Sequence, residues 1–215
     1  MRKSRSSTRK DEAEARRAQI LDEAIRLIGF KGYRGFTLQQ LARRCELTNG
    51  GVLYHFPSKE DVLTGVLEEL ERRITLGIEA YVAREVGMPG DGPWSREVVL
   101  LVMRAILLQS SADAEIMRVL TMLQIEALDP EHPAHERIME SNKSVFNRFA
   151  LLFEPLSDEP QRAARQALAM MNGLYLLWLE DQSFDLMDEW DRAIGKILPS
   201  GVNHGGVLCA ESGQG

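Results

Sequence analysis

Apolar side chains recur at intervals of three and four along most of the chain, and no stretch shows the strict two-residue alternation of a half-buried strand. This pattern predicts an all-α protein of about nine helices, with no internal repeat. The first covers residues 12–31, with Ile20, Ala24, Leu27 and Ile28 on one face and Gly32 placed to end it. Two short elements follow. Leu38, Leu41 and Ala42 form the apolar side of one, behind a Thr37 N-cap; Leu47, Val52, Leu53 and Phe56 form that of the other, behind a Thr48 N-cap. From Ser58, with Asp61 three residues on, a long helix reaches residue 85 and packs Val62, Val66, Leu67 and Leu70, then Ile74, Ile78 and Tyr81. Prolines and glycines at 88–93 break the pattern. Five helices remain, at 95–109, 112–128, 132–153, 158–182 and 185–197, the last two capped by Asp158 and Asp185. Pro199 and a glycine-rich run to residue 215 end ordered structure.

The pair of short helices is the most informative feature. Three or four residues between them force a sharp turn, the arrangement that presents a helix to DNA. On the second helix Thr48, Gly51, Tyr54 and His55 share a stripe opposite the apolar one, free to touch a partner. Gly50 and Gly51 are poor helix formers, each costing roughly 1 kcal/mol against alanine inside a helix, and close approach to a phosphate chain would compensate. After Pro57, exposed amides at the start of the next helix can hold a phosphate oxygen, and Lys59 adds a positive charge there.

Charge sharpens this picture. The 215-residue chain carries a net charge of −6, which is unexpected for a polyanion binder until it is divided. Residues 1–60 hold 13 Lys+Arg against 7 Asp+Glu, whereas residues 61–215 hold 13 against 25. The field of the whole molecule therefore points its N-terminal end at polyphosphate and holds the remainder away. Residues 1–11, rich in Arg, Lys and Ser without apolar periodicity, are expected to be a disordered basic arm. No window approaches the roughly 18 consecutive apolar residues of a membrane span, and the N-terminus lacks the apolar centre of a signal peptide, so a cytoplasmic protein with no membrane partner is expected. With only Cys45 and Cys209 a disulfide framework is not indicated, and Cys45 reads as a small buried hydrophobe.

From Gln19 to Leu63 the chain resembles the DNA-binding domain of the TetR family of bacterial transcriptional regulators. The matching pieces are Ile20-Leu21-Asp22-Glu23-Ala24 with Leu27 and Ile28; Gly32-Tyr33; Thr37-Leu38 with Leu41-Ala42; Leu47-Thr48-Asn49-Gly50; and Tyr54-His55-Phe56-Pro57-Ser58-Lys59-Glu60 with Leu63. One departure is local: many members carry Tyr where this chain has Leu53, so the aromatic phosphate contact is assigned to Tyr54. Between the basic arm at 1–11 and a flexible tail at 199–215, both read from composition, the resemblance implies a helix-turn-helix domain at 12–57 and an effector-binding and dimerisation domain at 58–198, linked by the helix at 58–85. It implies that Thr48, Asn49, Gly50 and Gly51 face base edges and nearby phosphates, that Tyr54, His55 and Lys59 hold the backbone, and that Thr37 caps the supporting helix.

Two expectations concern the C-terminal half. The 158–182 segment has almost no polar face, so it should be covered on both sides. Ala163, Ala167, Met171, Leu174 and Trp178, with Trp190 and Ile194 on the next helix, are the candidate dimer interface, since TetR-like proteins pair their last two helices into a four-helix bundle. Two copies would place recognition helices about 34 Å apart over a palindromic operator. In the middle helices, Met103, Leu107, Met117, Leu120, Met122, Leu123, Met139, Phe146 and Phe149, with Met170, are flexible or aromatic groups suited to an adaptable apolar pocket. TetR-like proteins bind small effectors between these helices; Gln124, Glu126, Asn142 and Asn172 are the polar candidates to orient one.

His132 and His135, with Glu131 and Glu136 beside them, are better explained by an exposed loop and first helical turn than by a metal site. No nucleophile with its base, no P-loop and no dinucleotide fingerprint is present, so no catalytic residue, cofactor or metal is expected. The sequence thus points to a homodimeric DNA-binding regulator, a repressor released by a small-molecule effector. The alternatives are a helical enzyme, or an adaptor that uses the same surface to bind protein.

Overall fold

The structure, a computed structural model, describes residues 5–85, 94–111 and 113–198, with residues 5–9 and 110 described by their backbone alone. Among these, nine helices account for all regular structure: α1 (Arg5–Gly35), α2 (Leu38–Arg44), α3 (Asn49–His55), α4 (Lys59–Glu85), α5 (Arg96–Ser111), α6 (Ala114–Glu126), α7 (His135–Phe153), α8 (Pro160–Glu180) and α9 (Leu186–Ile197). No described helix is long and apolar enough to cross a membrane. The expected break at 88–93 and the tail at 199–215 lie outside the described residues, as does Cys209.

Helix α1 begins earlier than expected, so residues 5–11 of the proposed arm are helical, and only residues 1–4 lie outside the described part. At its other end the expected stop is real: Gly32 adopts φ +71°, ψ 169°, and breaks the helix before a final short turn. Asp185 caps α9 by accepting from the amides of Met187 and Asp188. Asp158 does not cap α8, which starts at Pro160 behind Glu159, with no side-chain cap; proline supplies a pre-set φ and needs no acceptor.

Two main cores organise the helices. The first joins α1, α2, α3 and the first half of α4, and is closed on its far side by Ile116, Val119 and Leu123 of α6 and Ile138 of α7. The second is built from Val99, Met103 and Leu107 of α5, Met117 of α6, Phe149 and Phe153 of α7, and the inner faces of α8 and α9 around a fully buried Trp190. Helix α6 therefore belongs to both. Its apolar residues point in several directions, and the N-terminal unit is not a separate globule ending at residue 57. The α1–α4 contact is also ionic: Arg73 pairs with Asp22 and, at 2.7 Å, with Glu69, and hydrogen bonds from Arg72 and Arg73 hold the Glu69 carboxyl down at about 2.

Candidate functional site

Helix α2 is fixed by a complete capping box: Thr37 Oγ1 accepts from the Gln40 amide at 3.2 Å, and Gln40 Oε1 accepts from the Thr37 amide at 3.3 Å. Thr48 Oγ1 accepts from the Gly51 amide at 3.0 Å and starts α3. Between the two helices Glu46 takes the left-handed conformation, φ 54°, which makes the turn sharp. Val52 and Phe56 point inward with no exposed surface, against Leu41 and Cys45, which are equally buried. Burial raises the Cys45 thiol pKa, in keeping with its reading as a core residue.

The opposite stripe is open. Thr48, Asn49 and Gly50 are exposed, Gly51 and His55 half-buried, and Tyr54 is 82% exposed, its ring edge-on to His55. Neither glycine is required by the chain itself. A Cβ on Gly50 would meet nothing nearer than Thr48 Oγ1 at 3.9 Å, and one on Gly51 would make only ordinary contacts at 3.4 Å and beyond. Both have ordinary helical backbone, so neither packing nor conformation within the protomer demands glycine there.

Two residues around this stripe escaped the sequence reading. Arg17 of α1 donates to the His55 carbonyl at 2.9 Å and lies 4.0 Å over the Phe56 ring, bracing the end of α3. Arg43, in the last turn of α2, is exposed with no ion-pair partner among the described residues. Arg44, by contrast, is tied to Glu23 at 3.1 Å. The start of α4 differs from expectation. The Asp61 amide already donates to Ser58 Oγ, and the carboxylates of Glu60 and Asp61 crowd the first turn, so it is not an open phosphate cradle. Lys59 folds back, its ammonium 4.5 Å over Tyr33 and 4.7 Å over Phe36; burial there lowers its pKa.

Between α4, α5, α6 and α7 lies a cavity of about 1260 Å³. Leu67, Leu70, Ile74 and Ile78 of α4, Val102 and Ile106 of α5, Leu120 and Leu123 of α6, and Val145, Phe149 and Leu152 of α7 make it apolar; Gln124, Ser141, Asn142 and Arg148 supply polar groups. Of the expected pocket residues, Leu120, Leu123, Gln124, Asn142 and Phe149 line it. Met103, Leu107 and Met117 do not, because they fill the second core, and Met139 packs against the first. Met122 and Phe146 are partly buried away from the lining, and Met170 and Asn172 are exposed on α8. Glu126 turns from the cavity to α1, where its carboxylate accepts from the Tyr33 amide at 2.7 Å. His132, expected in an exposed loop, is 3% exposed; His135 reaches the Ala127 carbonyl through Nδ1 at 2.7 Å.

Residues 20–66 match the model of the bacterial regulatory proteins of the tetR family, spanning the helix-turn-helix geometry above. The chain is 27% identical over 192 residues to the HTH-type transcriptional regulator AcrR of Shigella flexneri, covering 84% of this chain and 86% of that one. It is 27% identical over 170 residues to BetI of Burkholderia thailandensis, covering 76% and 81%. Residues 20–66 are a TetR-family DNA-binding segment. The crystal structure of the regulator FadR from Bacillus subtilis, in complex with stearoyl-CoA, shares the fold with TM-score 0.65 and 18% identity over 85% of this chain and 97% of that one. With that segment and these relatives, the chain is a DNA-binding transcriptional regulator.

In this protomer the residues expected at a subunit interface lie inside. Ala163, Ala167, Met171, Leu174, Trp190 and Ile194 are buried in the second core, and Trp178 is packed against it. The apolar surface of α8 left open is the adjacent face: Met170 is 38% exposed, Leu177 55%, and Gly173 has nothing within 4 Å of a Cβ position. With Ala169, Gln166 and Ile197 of α9 these residues form a shallow apolar groove. Because α8 is apolar nearly all round, the sequence could not separate its inner from its outer face.

Proposed function

We propose that this TetR-family regulator is a homodimeric repressor whose hold on a palindromic operator is set by a small molecule in the cavity between α4, α5, α6 and α7. The observation that carries this reading is the double membership of α6: Val119 and Leu123 close the core of the reading head, while Leu120, Leu123 and Gln124 wall the cavity. A ligand packed there changes the same helix that supports the head, which is the differential contact any coupling needs. An apolar cavity with a polar rim favours a mainly apolar effector with one polar end.

In the DNA-bound form Thr48, Asn49, Gly50 and Gly51 face base edges, and Tyr54 and His55 grip the backbone. Arg43 adds a phosphate contact, and Lys59 joins only if its side chain leaves the Tyr33–Phe36 rings. The Met170–Gly173–Leu177 face of α8, with Ile197 of α9, meets its copy in a second protomer, Gly173 allowing close helix approach. A gel shift with the chain's own upstream DNA, repeated at rising salt, tests the reading. Retardation that weakens steeply with salt is expected; no retardation at low salt overturns it.

A further inference from the structure

The end of α1 is gripped by the connection between α6 and α7. At Gly32 the backbone takes φ +71°, and a Cβ there would collide with the Glu126 carboxylate, so glycine is required for both reasons. Glu126 accepts from the Tyr33 amide at 2.7 Å and, through its other oxygen, lies 3.5 Å from the Arg34 amide. Arg34 forms an ion pair with Asp129, and the Tyr33 ring stands edge-on to His132 at 5.2 Å. On its other side the same turn holds the start of α4: the Tyr33 hydroxyl donates to Glu60 at 3.2 Å, and its ring carries the Lys59 ammonium. Three consecutive residues thus join the effector domain to the reading head.

Glu126 also has a second buried donor within reach. The Ala134 amide donates to His132 Nδ1 at 3.2 Å, which places the proton of the neutral ring on Nε2. His132 is 3% exposed and its Nε2 has no hydrogen-bond partner, yet Glu126 Oε2 lies only 3.8 Å away. A small shift of the last turn of α6 would exchange one partner for the other. Leu123 and Gln124, less than one turn earlier, line the cavity.

We propose that Glu126 is a two-position clasp, holding the Tyr33 amide in one state and His132 Nε2 in the other, through which cavity occupancy sets the orientation of the reading head. This rests on the cavity being the effector site. Glu126 is a positioning residue; it touches neither DNA nor the cavity contents. The clasp predicts where coupling is lost, independently of where ligand and DNA bind.

The test uses the full chain and 1-anilinonaphthalene-8-sulfonate as a fluorescent probe of the cavity. Its dissociation constant is measured with and without saturating upstream DNA, and the ratio is the coupling factor, which is the same whichever ligand is titrated. A wild-type factor of about tenfold is expected. Glu126→Ala should bring it below about twofold while both separate affinities persist, and Glu126→Gln, which keeps an acceptor for Tyr33, should fall between. His132→Asn keeps an acceptor for the Ala134 amide but removes the second position, and should also fall below about twofold. This variant decides the matter if Glu126→Ala fails to fold. Wild-type coupling in a folded Glu126→Ala, with only a lowered melting temperature, would reduce Glu126 to a structural cap and overturn the clasp alone. Full coupling in His132→Asn would do the same. A wild-type ratio of one, with probe and DNA both bound, would overturn the functional reading and the clasp with it.

Discussion

The reading head and the effector domain are both helical, but they use their helices differently. In α2 and α3 each helix has one buried face and one bare face, with a side-chain cap fixing its start. In α6 and α8 apolar residues surround most of the helix, and neighbours or a cavity claim several sides at once. A one-sided helix narrows the search for its function, because only the unburied face can meet a partner. A helix apolar all round declares only that it is covered, not by what.

The largest effects should come from the cores. Phe56 is fully buried between α3 and α4, and Trp190 between α9 and its neighbours. Phe56→Ala and Trp190→Ala should each cost about 3–5 kcal/mol. Since α6 contributes to both cores, the two units should unfold in one denaturant transition. Two transitions, with Phe56→Ala shifting only one of them, would break the continuity drawn here between head and effector domain.

A second effect separates the two faces of α8. Met170→Glu combined with Leu177→Glu should leave the protomer folded, turn a dimer into monomers by sedimentation, and reduce operator affinity more than tenfold as the two heads are uncoupled. Charges at both positions with no change in mass would move the interface elsewhere. The proximity of buried Met171 and Leu174 shows how narrow the division is: a rotation of about 100° per residue separates core from surface.

The smallest effect is a pH dependence. Burial pushes the His132 pKa below its ordinary value of 6.5. The unfolded chain therefore takes up the proton first as pH falls, so the stability associated with the neutral ring is complete above about pH 6.5 and lost progressively below it, toward the lower folded value. His132→Asn should flatten that part of the melting temperature profile between pH 7 and 5, at the expense of ring packing on Tyr33. An unchanged slope would mean other groups dominate it.

These contrasts explain what was legible in the sequence. The caps at Thr37, Thr48 and Asp185, the stop at Gly32 and the inward set Val52–Phe56 are local features, fixed within a turn or two of chain, and they were readable. Pocket and interface were readable only as composition. Met103 and Met117 fit a flexible pocket as well as a core, and only the crossing of α5, α6 and α8 puts them in the core. Cavity residues such as Leu70, Ile74 and Ile78 were assigned simply to packing, because nothing along α4 shows that α7 stands away from it. The seat of Lys59 was hidden for a related reason. Its aromatic seat is made by Tyr33 and Phe36, more than twenty positions upstream. Glu126 and His132 meet α1 across some ninety residues of chain, beyond any periodicity.

The bareness of Gly50 gives the most direct test that α3 reads DNA. A Cβ there meets nothing in the protomer, so Gly50→Ala should raise thermal stability, by up to about 1 kcal/mol for a helix position. The same methyl group, placed where the helix approaches the duplex, should weaken binding of the upstream DNA at least tenfold in fluorescence anisotropy at fixed salt. Stability gained with affinity lost is the expected result. A variant that is more stable and binds that DNA as tightly as the wild type would contradict the placement of α3 in the groove.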